Sequence, residues 1–183
     1  NNHGLRLCTG DYSLLIQDDM VVNEKDFDSI LLKPFLSIPE CLAVTARGAY
    51  DLVVDRGIIA FTNGIGRENN LGRDIFGIRD VINRGPLLFN TSKLEKLNYF
   101  DEIFYPQGYD DADICLRAYI AYGWVCGSYI IDYISEPHWG KTRHDSFSSN
   151  MAASALGKNH NIVLNRYREH LLLDKHSKNI IIP

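Results

Sequence analysis

The fold class is decided by the stretch GYDDADICLRAYIAYGWVCGSYIIDYI, residues 108–134. Its apolar content predicts a helix over residues 110–122, and the aspartates of the first turn complement the positive end of the helix dipole. Gly123 follows, and glycine readily takes the left-handed conformation that ends many helices. The next residues, 125–134, are mostly apolar and predict a strand. A helix that leads directly into a strand is typical of an α/β domain.

The rest of the chain also alternates between predicted strands and predicted helices. The strands are predicted at residues 12–17, 41–46 and 85–90. The helices are predicted from residue 23 to about 32, at 92–97, and over the remainder of the chain from about residue 148, with amphipathic spacing at 161–173. This alternation predicts one α/β domain with a mixed, mainly parallel sheet flanked by helices. Residues 47–83 are rich in glycine, asparagine and arginine and predict a long, partly irregular loop of the kind that often binds ligands.

Length and composition limit the possible functions. The chain has 183 residues, a net charge of −4 and 45% hydrophobic residues, which is typical of one soluble globular domain. Its basic residues are scattered, so we expect no surface for nucleic acid. The four cysteines lack metal-binding spacing and are expected to be buried thiols in a reducing compartment. No apolar run approaches the roughly 20 residues that span a bilayer. Since no export signal is visible, we expect a cytoplasmic protein, with peripheral association at the membrane face left open.

The first candidate for chemistry is the cluster Gln17-Asp18-Asp19, which follows a predicted strand. Ligands of open α/β sheets bind beyond the carboxyl ends of strands. Adjacent carboxylates at that place can hold a hard divalent cation, which in turn binds phosphate oxygens. Taken alone, the cluster slightly favours a solvated turn, in which aspartates bond to their own backbone.

The second candidate is the group of Asp110, Asp111 and Asp113 at the start of the predicted helix. Repulsion among three carboxylates within one turn is expected to raise the pKa of at least one, which suits a general base. Capping and dipole complementation need only one or two acids, and taken alone they are the more frequent reason for such residues.

The third candidate is His138, shortly after the predicted strand at 125–134. A neutral imidazole is a good ligand for a transition metal such as Mn²⁺ or Zn²⁺, although a lone histidine is more often simply hydrogen-bonded. Trp139 and Trp124 have rings that can stack on a sugar or a base. For Trp124, which lies in an apolar run, packing in the core is favoured.

The order and spacing of these motifs resemble glycosyltransferase family 2, whose members have the GT-A fold. The resemblance spans about residues 2–170. It covers an Asn-x-Gly helix at 2–4, a DxD-type strand end at 17–19, a segment at 98–102 similar to Gly-Phe-Asp-Glu, the acidic helix from 110 to Gly123-Trp124, and a His-x-Gly-x-Thr segment from 138. Three positions depart from the pattern, since Gln17 and Asp110 replace acids of the family and Asn98 replaces a glycine.

The resemblance implies a GT-A-like (Rossmann-like) sheet and a role for each matching residue. Asp19 and His138 would ligate Mn²⁺ or Mg²⁺, and Asp111 would be the general base. The residues implied in donor binding are Asp18, Gly85, Asp110 and Trp139. The implied activity is the inverting transfer of a sugar from a UDP-, GDP- or dTDP-sugar to a hydroxyl of a glycan or other acceptor.

Two alternatives to the transferase remain open. The family's opening strands, which bind the nucleotide base, would precede residue 2, so residues 1–183 are expected to be a single catalytic domain that lacks its N-terminal part. That gap, together with Gln17, leaves room for a non-catalytic module that binds sugar nucleotides or glycans. A nucleotidyltransferase also uses acids at strand ends and a metal, but it would release pyrophosphate.

Overall fold

The computed structural model describes residues 1–67, 71–136, 146–172 and 176–183. The helices over these residues are α1 (Asn2–Arg6), α2 (Phe27–Ser37), α3 (Thr91–Lys96), α4 (Asp110–Tyr122) and α5 (Ser146–Leu172). The strands are β1 (Tyr12–Leu15), β2 (Met20–Val22), β3 (Cys41–Thr45), β4 (Gly48–Asp55), β5 (Ile58–Gly66), β6 (Ile75–Arg79), β7 (Val81–Ile82), β8 (Leu87–Asn90), β9 (Val125–Ser128), β10 (Tyr133–Ser135) and β11 (Lys178–Ile181). No helix of the described residues is long and apolar enough to cross a membrane.

The main sheet has six strands in the order β1-β8-β3-β9-β6-β11. Of its described pairs, β3 and β9 are parallel and the other four are antiparallel. The prediction of a mixed sheet flanked by helices is confirmed, but the prediction that it is mainly parallel is wrong. A short apolar run is expected for any strand covered on both faces, so it does not determine the direction of the neighbouring strand.

Helices cover both faces of the main sheet, and β8 shows how. Leu87 and Phe89 point into the core cluster beneath α3 and α4, whereas Leu88 points into the cluster beneath α2. Successive side chains of a strand alternate between the faces of a sheet, so a strand buried on both sides must be apolar throughout.

Most of the described residues between 47 and 83, where we predicted an irregular loop, form the strands β4, β5, β6 and β7. β4 and β5 make a hairpin whose turn residues, Arg56 and Gly57, have φ of 48° and 81°. Positive φ at both central residues is characteristic of the type I′ turn, whose twist matches that of paired strands. β7 joins this hairpin in a three-stranded sheet, and β6 joins the main sheet. Asn63, Gly64 and Gly66, which suggested a loop, therefore belong to β5, and Gly57 belongs to the turn.

The predicted strand at 125–134 is divided between two sheets. β9 lies in the main sheet, while β10 pairs with β2 in a separate two-stranded ribbon. β11 was not predicted, because we expected the C-terminal residues to be helical. The predicted helix α4 is confirmed at both ends, and Gly123 has the expected left-handed conformation.

α4 lies between the main sheet and the three-stranded sheet. Its residues Ile114, Cys115 and Ala118 pack in the main-sheet core. Its residues Ala112 and Leu116 pack in a third cluster with the small sheet and with α5. In that cluster α5 contributes apolar residues spaced by three and four, as expected for an amphipathic helix: Val163, Leu164, Tyr167 and Leu171. The acidic start of α4 is thus held by a buried helix.

Candidate functional site

A cleft of about 430 Å³ lies between the turn after β1 and the start of α4. Gln17 from the first predicted cluster and Asp110 and Asp111 from the second all line it. The fold therefore brings together two motifs that lie far apart in the sequence. The size of the cleft suits a small-molecule ligand.

Two arginines and two aromatic rings line the same cleft. Arg47 and Arg84 bring guanidinium groups to it beside the two carboxylates, and the rings of Phe61 and Tyr109 lie with their centroids 6.3 Å apart. Burial and the nearby Asp111 charge raise the pKa of the Tyr109 hydroxyl, so it remains a proton donor for hydrogen bonds. A cleft with guanidinium groups and aromatic walls can bind a phosphate beside a ring-shaped group.

Asp113 has a structural role, because its carboxylate is saturated by partners within the fold. It is fully buried and accepts hydrogen bonds from Arg117 Nε at 2.7 Å and Arg166 Nη1 at 2.9 Å. The Tyr167 hydroxyl also donates to it at 2.5 Å. These contacts tie α4 to α5 and leave Asp113 with little capacity to bind a substrate.

Asp110 pairs with Arg84, and this ion pair divides two clefts. Both residues line the cleft that holds Asp111 and also a second cleft of about 490 Å³ beside α1. The Arg84 guanidinium also lies 5.6 Å from the centroid of the Phe100 ring. Burial lowers the pKa of Arg84, while the charge of Asp111 opposes that effect.

Asp111 lines the cleft together with Asp110. Its Oδ1 accepts a hydrogen bond at 2.9 Å from the backbone N–H of Ala112, a contact within its own helical turn. Burial raises the pKa of Asp111 above its ordinary value, and the charge of Arg84 only partly opposes the rise. The cause is thus burial and not the repulsion between neighbouring carboxylates that we predicted. A carboxylate with a raised pKa in a cleft is a candidate general base.

The loop that leads into α4 holds an uncommon backbone conformation. Gly108 and Tyr109 have φ of 93° and 66°, and a positive φ at a residue with a side chain is uncommon. The buried side chain of Asn159, on α5, donates to the backbone oxygens of Phe104, Gln107 and Gly108 at 2.9–3.1 Å. These bonds hold the backbone that presents Tyr109 and Asp111 to the cleft. Strained backbone held by its surroundings is common at functional sites.

Asp19 lies just before the β2–β10 ribbon and is 8% exposed. Its Oδ1 is buried and has no hydrogen-bond partner among the described residues. Burying a carboxylate oxygen without a partner is costly, and a bound cation is one way in which proteins offset that cost. Asp19 therefore fits the role of ligand for a hard divalent cation such as Mn²⁺ or Mg²⁺.

The register of the ribbon bears on the other predicted metal ligand. Met20, which follows Asp19, is paired with Ser135 at the end of β10. His138 comes three positions after Ser135 in the sequence and lies outside the described residues, as does Trp139. Neither Asp18 nor Asp19 is among the described residues that line the cleft, and Asp18 is exposed. The structure therefore brings Gln17 to Asp111 but leaves the predicted metal site partly undescribed.

Gly85 packs against Arg47. A Cβ atom at Gly85 would lie 2.8 Å from the Cβ of Arg47, so only glycine allows this close approach. Its observed contact is thus with a residue of the cleft wall, and its predicted contact with the donor stays a prediction. Trp124 stacks on Tyr122 at 4.2 Å and packs against the main core, as we expected.

Sequence reasoning missed Arg47, Phe61, Arg84 and Tyr109 as residues of the cleft. Arg47 and Phe61 belong to the region predicted as a loop, where no motif marked them. A general signal did exist, since long polar segments in compact domains are often binding segments. No family model matches the chain, and no curated protein is significantly similar to it. The function must therefore be inferred from the geometry of the cleft and from the resemblance of the motifs.

Proposed function

We propose that this protein is an inverting glycosyltransferase of GT-A-like fold that moves a sugar from a nucleotide diphosphate sugar to an acceptor hydroxyl. The observation that supports this most strongly is the common cleft of Gln17 and Asp111. The strand-end motif and the acidic helix start must face one cavity if the first is to hold the donor and the second the acceptor.

The leaving group of this reaction is a nucleoside diphosphate, and negative charge develops on its phosphate oxygens. Arg47 and Arg84 line the cleft and are proposed to bind these oxygens through charge-assisted hydrogen bonds. Asp19, whose buried Oδ1 has no partner in the part of the chain that the structure describes, and His138 would hold Mn²⁺ or Mg²⁺. Such a cation supplies Lewis-acid stabilisation of the leaving group, an effect worth several kcal/mol.

Asp111 is proposed to remove the proton of the acceptor hydroxyl. The acceptor oxygen forms its bond to the anomeric carbon while the bond from that carbon to the diphosphate oxygen breaks, and the proton moves to the Asp111 carboxylate. A single displacement of this kind inverts the anomeric centre. Because burial raises the pKa of Asp111, this carboxylate is a stronger base than an exposed aspartate.

The walls of the cleft suit the remaining parts of the donor. Phe61 and Tyr109 offer ring faces for the sugar or the base, and the protonated Tyr109 hydroxyl can donate to an oxygen of either. Asp18, Gly85, Asp110 and Trp139 stay proposed donor-binding residues. We also propose a cytoplasmic location, because nucleotide sugars are made there, with peripheral attachment to the membrane face as an option.

A binding module without catalysis is the second candidate. Gln17 lines the cleft where an acid of the family pattern would stand, and Asp19 is not among the described residues of the lining. With fewer charges, the site could bind a sugar nucleotide without stabilising its leaving group. Binding of a donor without turnover would favour this candidate.

Nucleotide sugars carrying UDP, GDP or dTDP provide the test of the proposed function. The protein is incubated with each donor, Mn²⁺ and a panel of simple glycan acceptors, and released nucleoside diphosphate is measured. We expect release from one donor class, dependent on Mn²⁺ or Mg²⁺, and a product whose anomeric configuration is opposite to that of the donor. Retention of configuration would contradict the proposed displacement, and release of pyrophosphate from a nucleoside triphosphate would indicate a nucleotidyltransferase.

The variant Arg84→Gln tests the electrostatics of the base. The charge of Arg84 lowers the pKa of Asp111, so its removal raises that pKa further. A base works only when it is deprotonated, so the acid limb of the kcat/KM profile should move to higher pH. Arg47→Gln is the matched control, because it removes a charge from the same cleft, whereas Arg84 is the charge that acts on Asp111. It should lower kcat/KM without moving the limb. If the acid limb of the Arg84→Gln profile stays at the wild-type pH, Asp111 is not the general base.

A further inference from the structure

A second group of metal-ligating side chains lies away from the cleft. It consists of Asp80, His170 and His176, and one ligand atom from each lies within 4.8 Å of the others. The three residues come from the junction of β6 and β7, the last turn of α5, and the segment before β11. We propose that they bind a divalent transition-metal ion, Zn²⁺ foremost, independently of the proposed transferase site.

The carboxylate of Asp80 is held in place before any metal binds. Asp80 is 1% exposed, and its Oδ2 accepts a hydrogen bond from the backbone N–H of Leu52 at 2.9 Å. Because this hydrogen bond fixes Oδ2, it also fixes the direction of the other carboxylate oxygen, Oδ1. Bonds of this kind from the surrounding protein are typical of metal ligands.

His176 is fixed from two sides. Its ring stacks on that of Tyr119 with centroids 3.7 Å apart and an interplanar angle of 14°. The hydroxyl of the next residue, Ser177, donates a hydrogen bond to the carboxylate of Asp51, and the strand that follows, β11, pairs with β6. These contacts place Nδ1 of His176 at 3.4 Å from Oδ1 of Asp80.

That separation fits tetrahedral zinc. Zinc lies about 2.0–2.2 Å from imidazole nitrogen and carboxylate oxygen, so two ligand atoms at the tetrahedral angle are roughly 3.4 Å apart. The third ligand atom, on His170 in the last turn of α5, lies within 4.8 Å of the other two. Two imidazoles with one carboxylate favour Zn²⁺ over the hard Mg²⁺, and these described residues supply three of the four ligands of a tetrahedral site.

The position of this group indicates a structural role. The three residues bring together the end of α5, the segment before β11 and the β6–β7 junction. Tyr119 of α4 contacts this group through its stacking on His176. Tyr119 is two turns beyond Asp111 on α4, about 12 Å along the helix axis. A metal here would fasten the C-terminal strand to the domain without entering the cleft.

Binding of Zn²⁺ alone tests the proposal. The measurement uses the Asp19→Ala variant, treated with a chelator, so that the transferase site contributes no binding. We expect one Zn²⁺ per chain by calorimetry and a rise in Tm of about 5–10 °C at a hundredfold excess of free Zn²⁺ over Kd. Substitution of Co²⁺ should give the intense absorption of a tetrahedral complex.

Single histidine variants locate the site. His170→Gln and His176→Gln should each abolish the stoichiometric binding and the rise in Tm. His3→Gln, which changes an exposed histidine of α1, is the matched control and should retain both. If His176→Gln does not fold, His170→Gln and the Co²⁺ spectrum still decide the matter. Absence of binding, binding unchanged in His170→Gln, or a weak octahedral Co²⁺ spectrum would show that Asp80 and His176 form an ion pair only.

Discussion

Replacing Asp111 with asparagine is expected to lower kcat by about a hundred- to ten-thousandfold, the usual contribution of a positioned general base. The amide cannot accept the acceptor proton, although it can keep the hydrogen bond from the Ala112 N–H. KM for the donor should change little, because the diphosphate contacts come from other residues. Steady-state kinetics with the donor identified in the nucleotide-sugar panel provide the measurement.

The same variant should be more stable than the wild type at neutral pH. Burial raises the pKa of Asp111, so the folded state binds its proton more tightly than the unfolded state. The cost of the buried charge is therefore fully present above the raised folded pKa and disappears below about pH 4, the ordinary range of aspartate. The gain in Tm from Asp111→Asn should be present at pH 7 and should vanish as the pH falls through that range.

Asp113→Asn is the matched control on the same helix. It removes the charged partner of Arg117 and leaves Arg166 with Asp101 alone, so it should lower stability by about 1–3 kcal/mol. Opposite changes in Tm would separate a functional acid from a structural acid two residues away. An Asp111→Asn variant that keeps full activity, or that loses stability at pH 7 as Asp113→Asn does, would contradict our assignment.

Asp19→Ala is expected to remove the metal dependence of the reaction. Loss of a Lewis acid worth several kcal/mol corresponds to a fall in kcat of about a thousandfold or more. The variant should also lose any rise in Tm that Mn²⁺ gives the wild type, since binding to the folded state alone raises Tm. Without metal it should be at least as stable as the wild type, because it lacks the buried Asp19 oxygen that has no hydrogen-bond partner among the described residues.

Asp18→Ala is the control for that prediction. Asp18 is the adjacent aspartate and is exposed, so its removal takes away the same charge without touching the buried position. It should keep the metal dependence and change mainly KM for the donor. Equal loss of metal dependence in both variants would indicate a general effect of negative charge and not ligation by Asp19.

The sequence predicted the elements that have strong local signals. The prediction of α4 was correct at both ends, because the acidic first turn marks its start and Gly123 marks its end. The prediction of a loop over residues 47–83 was wrong, because the strands found there depend on pairing with distant partners and on a two-residue turn at Arg56 and Gly57. The direction of β1 relative to its neighbour could not be predicted from the sequence either. That neighbour is β8, which is antiparallel to β1 and lies about 75 residues away.

For the candidate site too, the sequence predicted what depends on local motifs and missed what depends on long-range contacts. The motifs pointed to Gln17 and Asp111, and the fold brings them to one cleft. The cause of the raised pKa at Asp111 was missed, because burial depends on the packing of α4 between two sheets. Arg47 and Arg84 were missed because an isolated arginine carries no pattern, and only the tertiary structure shows what it faces.

The position of the cation tests the central claim most directly. Crystals grown with Mn²⁺ and a nucleoside diphosphate, measured at the manganese absorption edge, would locate the ion without ambiguity. We predict an anomalous peak within about 2.5 Å of the Asp19 carboxylate, with a nitrogen of His138 as a further ligand and Asp111 facing the same cleft. A peak at Asp80, His170 and His176 alone, or Asp19 and Asp111 opening into separate regions, would contradict the account.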